Sequence, residues 1–247
     1  MFDQVLLGQT AVVTGASRGI GEAIATGLLR SGADVTTLQR SPLSGELQRT
    51  ADDLGRTLRH VAVDFADSAS LAESITAVGA VDILVNNAGT QIRHDSVDFP
   101  LADFERVMAV NTNAVFQLSQ GFGAHMVERG SGKIVALASL LSFQGGLRVP
   151  AYAASKGAVA QLVKALSNEW AGRGVNVNAV APGYVNTDMN EALLADPERF
   201  RQLSERIPAG RWATPDDIAN AVVYLCTPYA GYIHGTVLPV DGGWLGR

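Results

Sequence analysis

Seven short, almost wholly apolar runs punctuate this sequence, each separated from the next by a longer stretch. They are Thr10–Thr14, Ala33–Leu38, Leu58–Asp64, Val81–Asn86, Lys133–Ser139, Val175–Ala181 and Thr236–Val240. Alternation of β-rich runs with amphipathic helical stretches is the pattern of βαβ units feeding one parallel sheet, whose strands read as continuous apolar runs because helices cover both faces. Helices are expected from about Gly19 to Ser31, from Leu101 to Arg129 with a break or bend near Asn111, and from Tyr152 to Ala171. Further helical stretches fall between the early strands.

No repeat, low-complexity tract or composition shift marks a second domain, so residues 1–247 read as one layered domain. Charged residues make up only 17% of the chain, below the roughly 25% of typical soluble proteins, which leaves surface to bury between subunits. The segment from Tyr184 to Thr214 lacks a clean period and carries Pro197 and Pro208. An irregular stretch of this length inside a compact domain reads as a substrate lid that orders over its ligands.

The net charge is −5, with no long basic run, which argues against nucleic acid as a partner. Nowhere do about 18 consecutive apolar residues occur, and Met1 to Thr10 lacks a basic region followed by an apolar one, so no membrane is implied and a cytoplasmic location is expected. The lone Cys226 reads as a small buried hydrophobe. His60, His94, His125 and His234 show no metal-ligand spacing, and no metal is expected.

Between the first run and the first helix lies Thr14-Gly15-Ala16-Ser17-Arg18-Gly19-Ile20-Gly21. Glycines there let the backbone turn tightly and approach a ligand, while free amides at the following helix start point at an anion. Gly15, Ser17, Arg18, Gly19, Ile20 and Gly21 are therefore candidates to hold a pyrophosphate, the alternative being an ordinary tight turn. At the end of the second run, where an acidic residue usually receives the ribose hydroxyls of NAD, stand Gln39 and Arg40. With no carboxylate to repel a 2′-phosphate and with Arg18 and Arg40 in reach of it, the reading favours NADP over NAD. Arg40 stacked on adenine or lying in solvent is the competing reading.

Tyr152 and Lys156 stand four positions apart, on one face of a helix. A phenol with a free pKa of about 10 is a poor base at neutral pH, but a neighbouring ammonium and a positively charged oxidised nicotinamide both favour its ionised form. Tyr152 then exchanges a proton with an alcohol or a ketone oxygen, and Ser139, at the end of the fifth run, is placed to hold that oxygen.

At this point the sequence resembles the short-chain dehydrogenase/reductase family, and the resemblance covers essentially the whole chain. It rests on the Thr14–Gly21 turn, Asn86-Asn87-Ala88-Gly89 after the fourth run, Asn111, Ser139 and Tyr152-Ala153-Ala154-Ser155-Lys156, in that order. The resemblance implies a single-domain Rossmann fold with a doubly wound, seven-stranded parallel α/β sheet, and a proton-transfer tetrad of Asn111, Ser139, Tyr152 and Lys156. In that tetrad Asn111 holds a water that links Lys156 to solvent, and Lys156 also binds the nicotinamide ribose. It further implies that Asp64 contacts adenine, that Asn87, Ala88 and Gly89 lie along the adenosine and ribose, and that Pro182, Gly183, Val185 and Thr187 engage the carboxamide. Structural readings stand beside these: Asn86 and Asn87 as strand stabilisers, Asp64 as a cap, Asn111 as a partner for backbone groups at a helix bend.

Longer stretches, among them Leu137 to Lys156, Asn168 to Trp170, Ile207 to Trp212 and Val240 to Arg247, resemble the sugar-acid branch of the family, the gluconate 5-dehydrogenases and 2-deoxygluconate 3-dehydrogenases. The resemblance implies a sugar acid as substrate and a homo-oligomer, commonly a tetramer. A sugar acid needs a cationic recess for its carboxylate and polar partners for its hydroxyls. Arg93 and Arg148 are candidates for the recess, with an ion pair that holds the loop as the alternative for Arg148. Gln144, Gln91, Tyr184 and Asn186 are candidate hydroxyl partners. Arg211-Trp212 reads as a subunit-packing element more than as a closing flap. Competing readings are a 3-oxoacyl carrier-protein reductase, which requires a basic patch beside the site, and a nucleotide-binding protein without turnover.

Overall fold

A computed structural model describes residues 4–188 and 196–247. All seven expected runs are strands: β1 (Thr10–Thr14), β2 (Asp34–Gln39), β3 (Leu58–Ala62), β4 (Ile83–Asn86), β5 (Gly132–Leu137), β6 (Val175–Pro182) and β7 (Val237–Val240). They form one parallel sheet in the order β3-β2-β1-β4-β5-β6-β7. Strand ends depart from the expected bounds by one or two residues. β3 stops before Asp64 because that carboxylate accepts from the Ala66 N–H at 3.0 Å and turns the chain.

The helices among the described residues are α1 (Gly19–Arg30), α2 (Gly45–Leu54), α3 (Ser68–Val78), α4 (Leu101–Met108), α5 (Ala114–Arg129), α6 (Pro150–Trp170), α7 (Pro197–Arg206) and α8 (Pro215–Cys226). Successive strand residues feed opposite layers: Ala11 and Val13 pack with α1, α2 and α8, whereas Val12 packs with α5 and α6. Val12 sits opposite Thr36 on β2 and Leu84 on β4. The strand order reverses between β1 and β4, and the crevice outside the carboxyl ends of the strands at such a switch point is where ligands enter doubly wound sheets.

The bend expected near Asn111 is a π-helical turn, Ala109–Asn113, joining α4 to α5. Such a turn re-aims one side chain into the interior and recurs at functional positions. Asn111 is fully buried in it. Cys226 is buried as expected, and burial pushes its thiol up to about 12.

Two expectations are corrected. The stretch from Tyr184 to Thr214 contains a helix, α7, whose start is fixed by the Asp196 carboxylate accepting from the Arg199 N–H at 3.0 Å. Pro197 occupies the first helical position, where a missing N–H costs nothing. The proline that suggested irregularity is thus a helix start; residues 189–195 of the same stretch lie outside the described residues. Trp212, expected at a subunit contact, is buried within its own chain. It stacks on Phe200 with ring centroids 5.2 Å apart, meets Tyr184 at 5.2 Å, and donates to Ser204 Oγ at 3.0 Å.

Candidate active site

The turn after β1 is shaped by what glycine permits. Gly15 and Gly19 have φ of +68° and +60°. A Cβ on Gly21 would fall 2.1 Å from the Gly15 carbonyl oxygen and 2.4 Å from Asn87 Nδ2, so no other residue fits. Arg18 caps α1 without any side-chain hydrogen bond, which leaves the first amides of the helix facing outward. These features fit a dinucleotide pyrophosphate. Asn87 and Ala88 stitch β4 to this turn: both backbone N–H groups donate to Thr14 Oγ1, at 2.9 and 2.8 Å, and Asn87 Nδ2 donates to the Thr14 and Gly15 carbonyls at 2.9 Å. Asn86 donates to Ser119 Oγ at 3.0 Å.

The segment leaving β6 crosses above the same turn. Thr187 Cγ2 is the nearest atom to a Cβ built on Gly19, at 3.5 Å, and Arg18 pairs with Asp188 at 3.2 Å. Pro182 ends β6, Gly183 packs against Asp241, and Val185 is buried in a bridge to Ala213. Ser17 stays partly exposed, and Ile20 packs against the core. At the end of β2, Gln39 is buried and its amide donates to the Ser41 and Pro42 carbonyls at 3.0 and 3.3 Å. It holds the loop, while Arg40 stays exposed at an open recess shared with Ser44, Gln48 and His60. Asp64 stands beyond β3, its side chain occupied as a turn cap.

Deeper in the crevice, α6 carries Tyr152 and Lys156 on one face, with the Lys156 Nζ 5.7 Å from the centre of the Tyr152 ring. Lys156 Nζ donates to the Leu137 carbonyl at 2.5 Å, and burial lowers its pKa to about 8. Burial raises the Tyr152 phenol above its ordinary value, and a hydrogen bond with Ser139 opposes that shift. The Lys156 ammonium lies over the Tyr152 ring, as the four-residue spacing predicts, and is anchored there by the Leu137 carbonyl. Ser139 is aimed by its own turn: its Oγ accepts from the Leu141 N–H at 3.2 Å, and Ser142 Oγ donates to the Lys156 carbonyl at 2.7 Å.

Asn111 closes the group from behind. Its Oδ1 accepts from the Thr90 N–H at 2.8 Å, and its Nδ2 donates to the Thr90 carbonyl and Ser155 Oγ at 2.9 and 3.0 Å. Gly89 faces both Asn111 and Lys156, a Cβ there lying 3.4 Å from Asn111 Oδ1 and 3.8 Å from Lys156 Nζ. Ser155 Oγ donates to the Tyr152 carbonyl at 2.8 Å, which ties the π turn to the first turns of α6.

A family model described as enoyl-(acyl carrier protein) reductase matches residues 15–245. The chain belongs to the short-chain dehydrogenase/reductase family. A 2-dehydro-3-deoxy-D-gluconate 5-dehydrogenase of Pseudoalteromonas atlantica is 49% identical over 248 residues, covering 98% of each chain. Among solved structures, a candidate 2-deoxy-D-gluconate 3-dehydrogenase of Agrobacterium tumefaciens with bound NADP is 48% identical, with a TM-score of 0.94 and coverage of 100% of this chain and 99% of the other. A gluconate 5-dehydrogenase of Burkholderia cenocepacia in complex with NADP and tartrate is 37% identical, with a TM-score of 0.93 and the same coverage.

In this short-chain dehydrogenase/reductase the mouth of the crevice is aromatic. Tyr184 lies between Trp212 and Trp244, its ring 5.2 and 4.9 Å from theirs. Trp244 Nε1 donates to Gln144 Oε1 at 3.3 Å, and the Arg206 guanidinium lies 3.9 Å above the Trp244 ring. Burial raises the Tyr184 phenol, and the charges of Arg199, Arg206 and Arg93 oppose that shift. Arg148, with φ of +65°, is engaged elsewhere: its Nε pairs with Asp95 at 2.9 Å, the loop-holding alternative. Gln91 is partly buried and Asn186 is exposed, with the Asn186 N–H donating to the Ala213 carbonyl. Sequence reading did not single out Arg199, Arg206 and Trp244. The seven-residue spacing of the two arginines, two turns of one helix, was the available signal.

Proposed function

We propose that this protein is an NAD(P)-dependent oxidoreductase interconverting a secondary alcohol and a ketone on a sugar acid, of the gluconate 5-dehydrogenase or 2-deoxygluconate 3-dehydrogenase type. One observation carries the chemistry: a half-buried phenol, one helical turn from a buried lysine whose ammonium lies over its ring, stands in a crevice whose glycine turn fits a pyrophosphate. The names of its relatives support a sugar acid as substrate, and tartrate in one of them is a hydroxy acid of kindred chemistry.

In this reading Gly15 to Gly21 and the start of α1 hold the pyrophosphate, Lys156 the nicotinamide ribose, and Pro182 to Thr187 the carboxamide. The nicotinamide, when bound, supplies or accepts the hydride. Tyr152 donates its phenolic proton to the substrate oxygen as the ketone is reduced and recovers one from the alcohol in the reverse direction. Ser139 hydrogen-bonds the same oxygen and fixes its position. Asn111, locked to Thr90 and Ser155, keeps the π turn and α6 in register, and its place behind Lys156 suits the water relay of the family. NADP is the favoured cofactor because the exposed Arg40, and no carboxylate, stands at the end of β2; Arg18 joins it by exchanging its Asp188 partner for the phosphate.

No helix among the described residues is long and apolar enough to cross a membrane. We take the protein to work in the cytoplasm as a homo-oligomer, a dimer or tetramer, and exposed apolar side chains such as Val97, Leu101 and Leu147 suit that assembly. The test is a panel of aldonates, ketoaldonates and 3-oxoacyl thioesters assayed with both nicotinamide cofactors. Selective turnover of an acid with NADP is expected. Turnover confined to thioesters, or none with any substrate, overturns the reading.

A further inference from the structure

A sugar acid brings a carboxylate into the crevice, and Arg148, one obvious cation for it, is held by Asp95. The described residues offer a different set. Arg93, Arg199 and Arg206 form no ion pair among the described residues, and all three are exposed. Arg199 and Arg206 stand two turns apart on α7, and the charges of all three act on the Tyr184 hydroxyl.

Arg206 is the best placed of the three. Its guanidinium lies over Trp244, 3.9 Å from the ring centre, and that ring meets Tyr184 and is buried in one cluster with Leu140, the residue following Ser139. With no ion pair among the described residues, a guanidinium held there keeps N–H donors for a carboxylate. Trp244 also orients Gln144: the indole N–H occupies the amide oxygen, which leaves the amide N–H groups with no partner among the described residues. The Tyr184 hydroxyl likewise has no hydrogen-bond partner there.

We propose that Arg206, seated on Trp244 with Arg199 and Arg93 beside it, receives the substrate carboxylate, and that Tyr184 and Gln144 take the hydroxyls between it and the carbon held at Tyr152. The assignment rests on the sugar-acid reading above. It makes α7 a specificity element: an acid offers Arg206 a carboxylate, whereas a neutral sugar of equal length has nothing to offer that cation. The same arginines beside the crevice are what an acidic carrier protein would require, and the test separates the two.

Initial rates are measured at saturating cofactor on wild type, Arg206→Gln, Arg206→Lys, Arg199→Gln and Arg148→Ala. Substrates are a ketoaldonate, the corresponding neutral ketose and a 3-oxoacyl thioester on its carrier protein. Loss of a charge-assisted pair predicts a rise of about 10- to 100-fold in the ketoaldonate KM of Arg206→Gln, with kcat largely retained. The cofactor KM and the neutral ketose rates stay unchanged, Arg206→Lys recovers part of the loss, and Arg148→Ala behaves as wild type. Arg199→Gln is expected to raise the ketoaldonate KM by a smaller factor, and it carries the test if Arg206→Gln lowers Tm. An equal loss for acid and neutral ketose makes Arg206 a packing residue, and an unchanged KM, or a loss confined to the thioester, also overturns the proposal. A wild type that turns over no sugar acid rejects the underlying function; one that does so, with variants that fail to discriminate, rejects only the recess.

Discussion

The two sides of the crevice are built by different means. On the β1–β4 side, backbone makes the site: glycines in left-handed geometry, an uncapped helix start, and Asn87 stitching two turns together through carbonyls. On the α7 side, side chains make it: Tyr184, Phe200, Trp212 and Trp244 stack into a wall drawn from three separate parts of the chain. The first leaves little freedom in sequence, because a Cβ in the wrong place collides with a carbonyl. The second tolerates change as long as volume is kept. The pyrophosphate is common to NAD and NADP, whereas substrates differ, and the division of labour follows that difference.

The sharpest way to break this contrast is Gly21→Ala. The added methyl meets the Gly15 carbonyl at 2.1 Å and no rotamer relieves it. A displaced turn of about 1 Å is expected to raise the cofactor Kd by at least about 100-fold in a calorimetric titration. Unchanged affinity would mean the cradle is softer than the geometry says.

Trp212→Ala tests the other wall. Removing a buried indole from a stacked cluster costs about 3 kcal/mol, which lowers Tm by about 6–12 °C in scanning calorimetry. Cofactor affinity is expected to stay at the wild-type level, and a joint loss would show that the two sides are one unit.

The smallest effect belongs to the turn between α7 and α8. Thr214 and Asp217 form a capping box at the start of α8, and Arg211 grips Asp217 with both nitrogens, at 2.7 and 3.0 Å. The Arg211 hydrogen bonds hold the Asp217 carboxyl well below its ordinary 3.8. Its contribution is therefore present in full above pH of about 4 and is lost as the pH falls below that value. Asp217→Asn is expected to cost about 1 kcal/mol at neutral pH, a Tm decrease of about 2–4 °C. The difference from wild type shrinks in acid; a gap that widens there would assign the stabilisation elsewhere.

The same contrast decides what could be read from the sequence. All seven strands are legible: β1, β4 and β6 as nearly continuous apolar runs, and β2 and β3, DVTTLQ and LRHVA, through their β-branched residues and their place between helical stretches. The Gly15–Gly21 turn and the Tyr152–Lys156 spacing were legible because both depend on neighbours in the chain. The break at Asn111 was seen as well, although its form as a π turn was not. What escaped depends on distance: the Arg148–Asp95 pair, the burial of Trp212, and Arg206 resting on a tryptophan close to the C-terminus. The α7 start was missed for a local reason. Pro197 suggests irregularity when read alone, but Asp196 before it and Glu198 after it supply a cap and a first-turn acid, the ordinary signals of a helix start.

In the proposed mechanism the Tyr152 phenol is the proton donor at the ketone of a sugar acid. Tyr152→Phe assayed with a ketoaldonate and reduced cofactor, alongside calorimetric binding of that cofactor, tests it directly. Loss of at least about 100-fold in kcat with cofactor Kd unchanged is the predicted result. Turnover close to that of the wild type would contradict it.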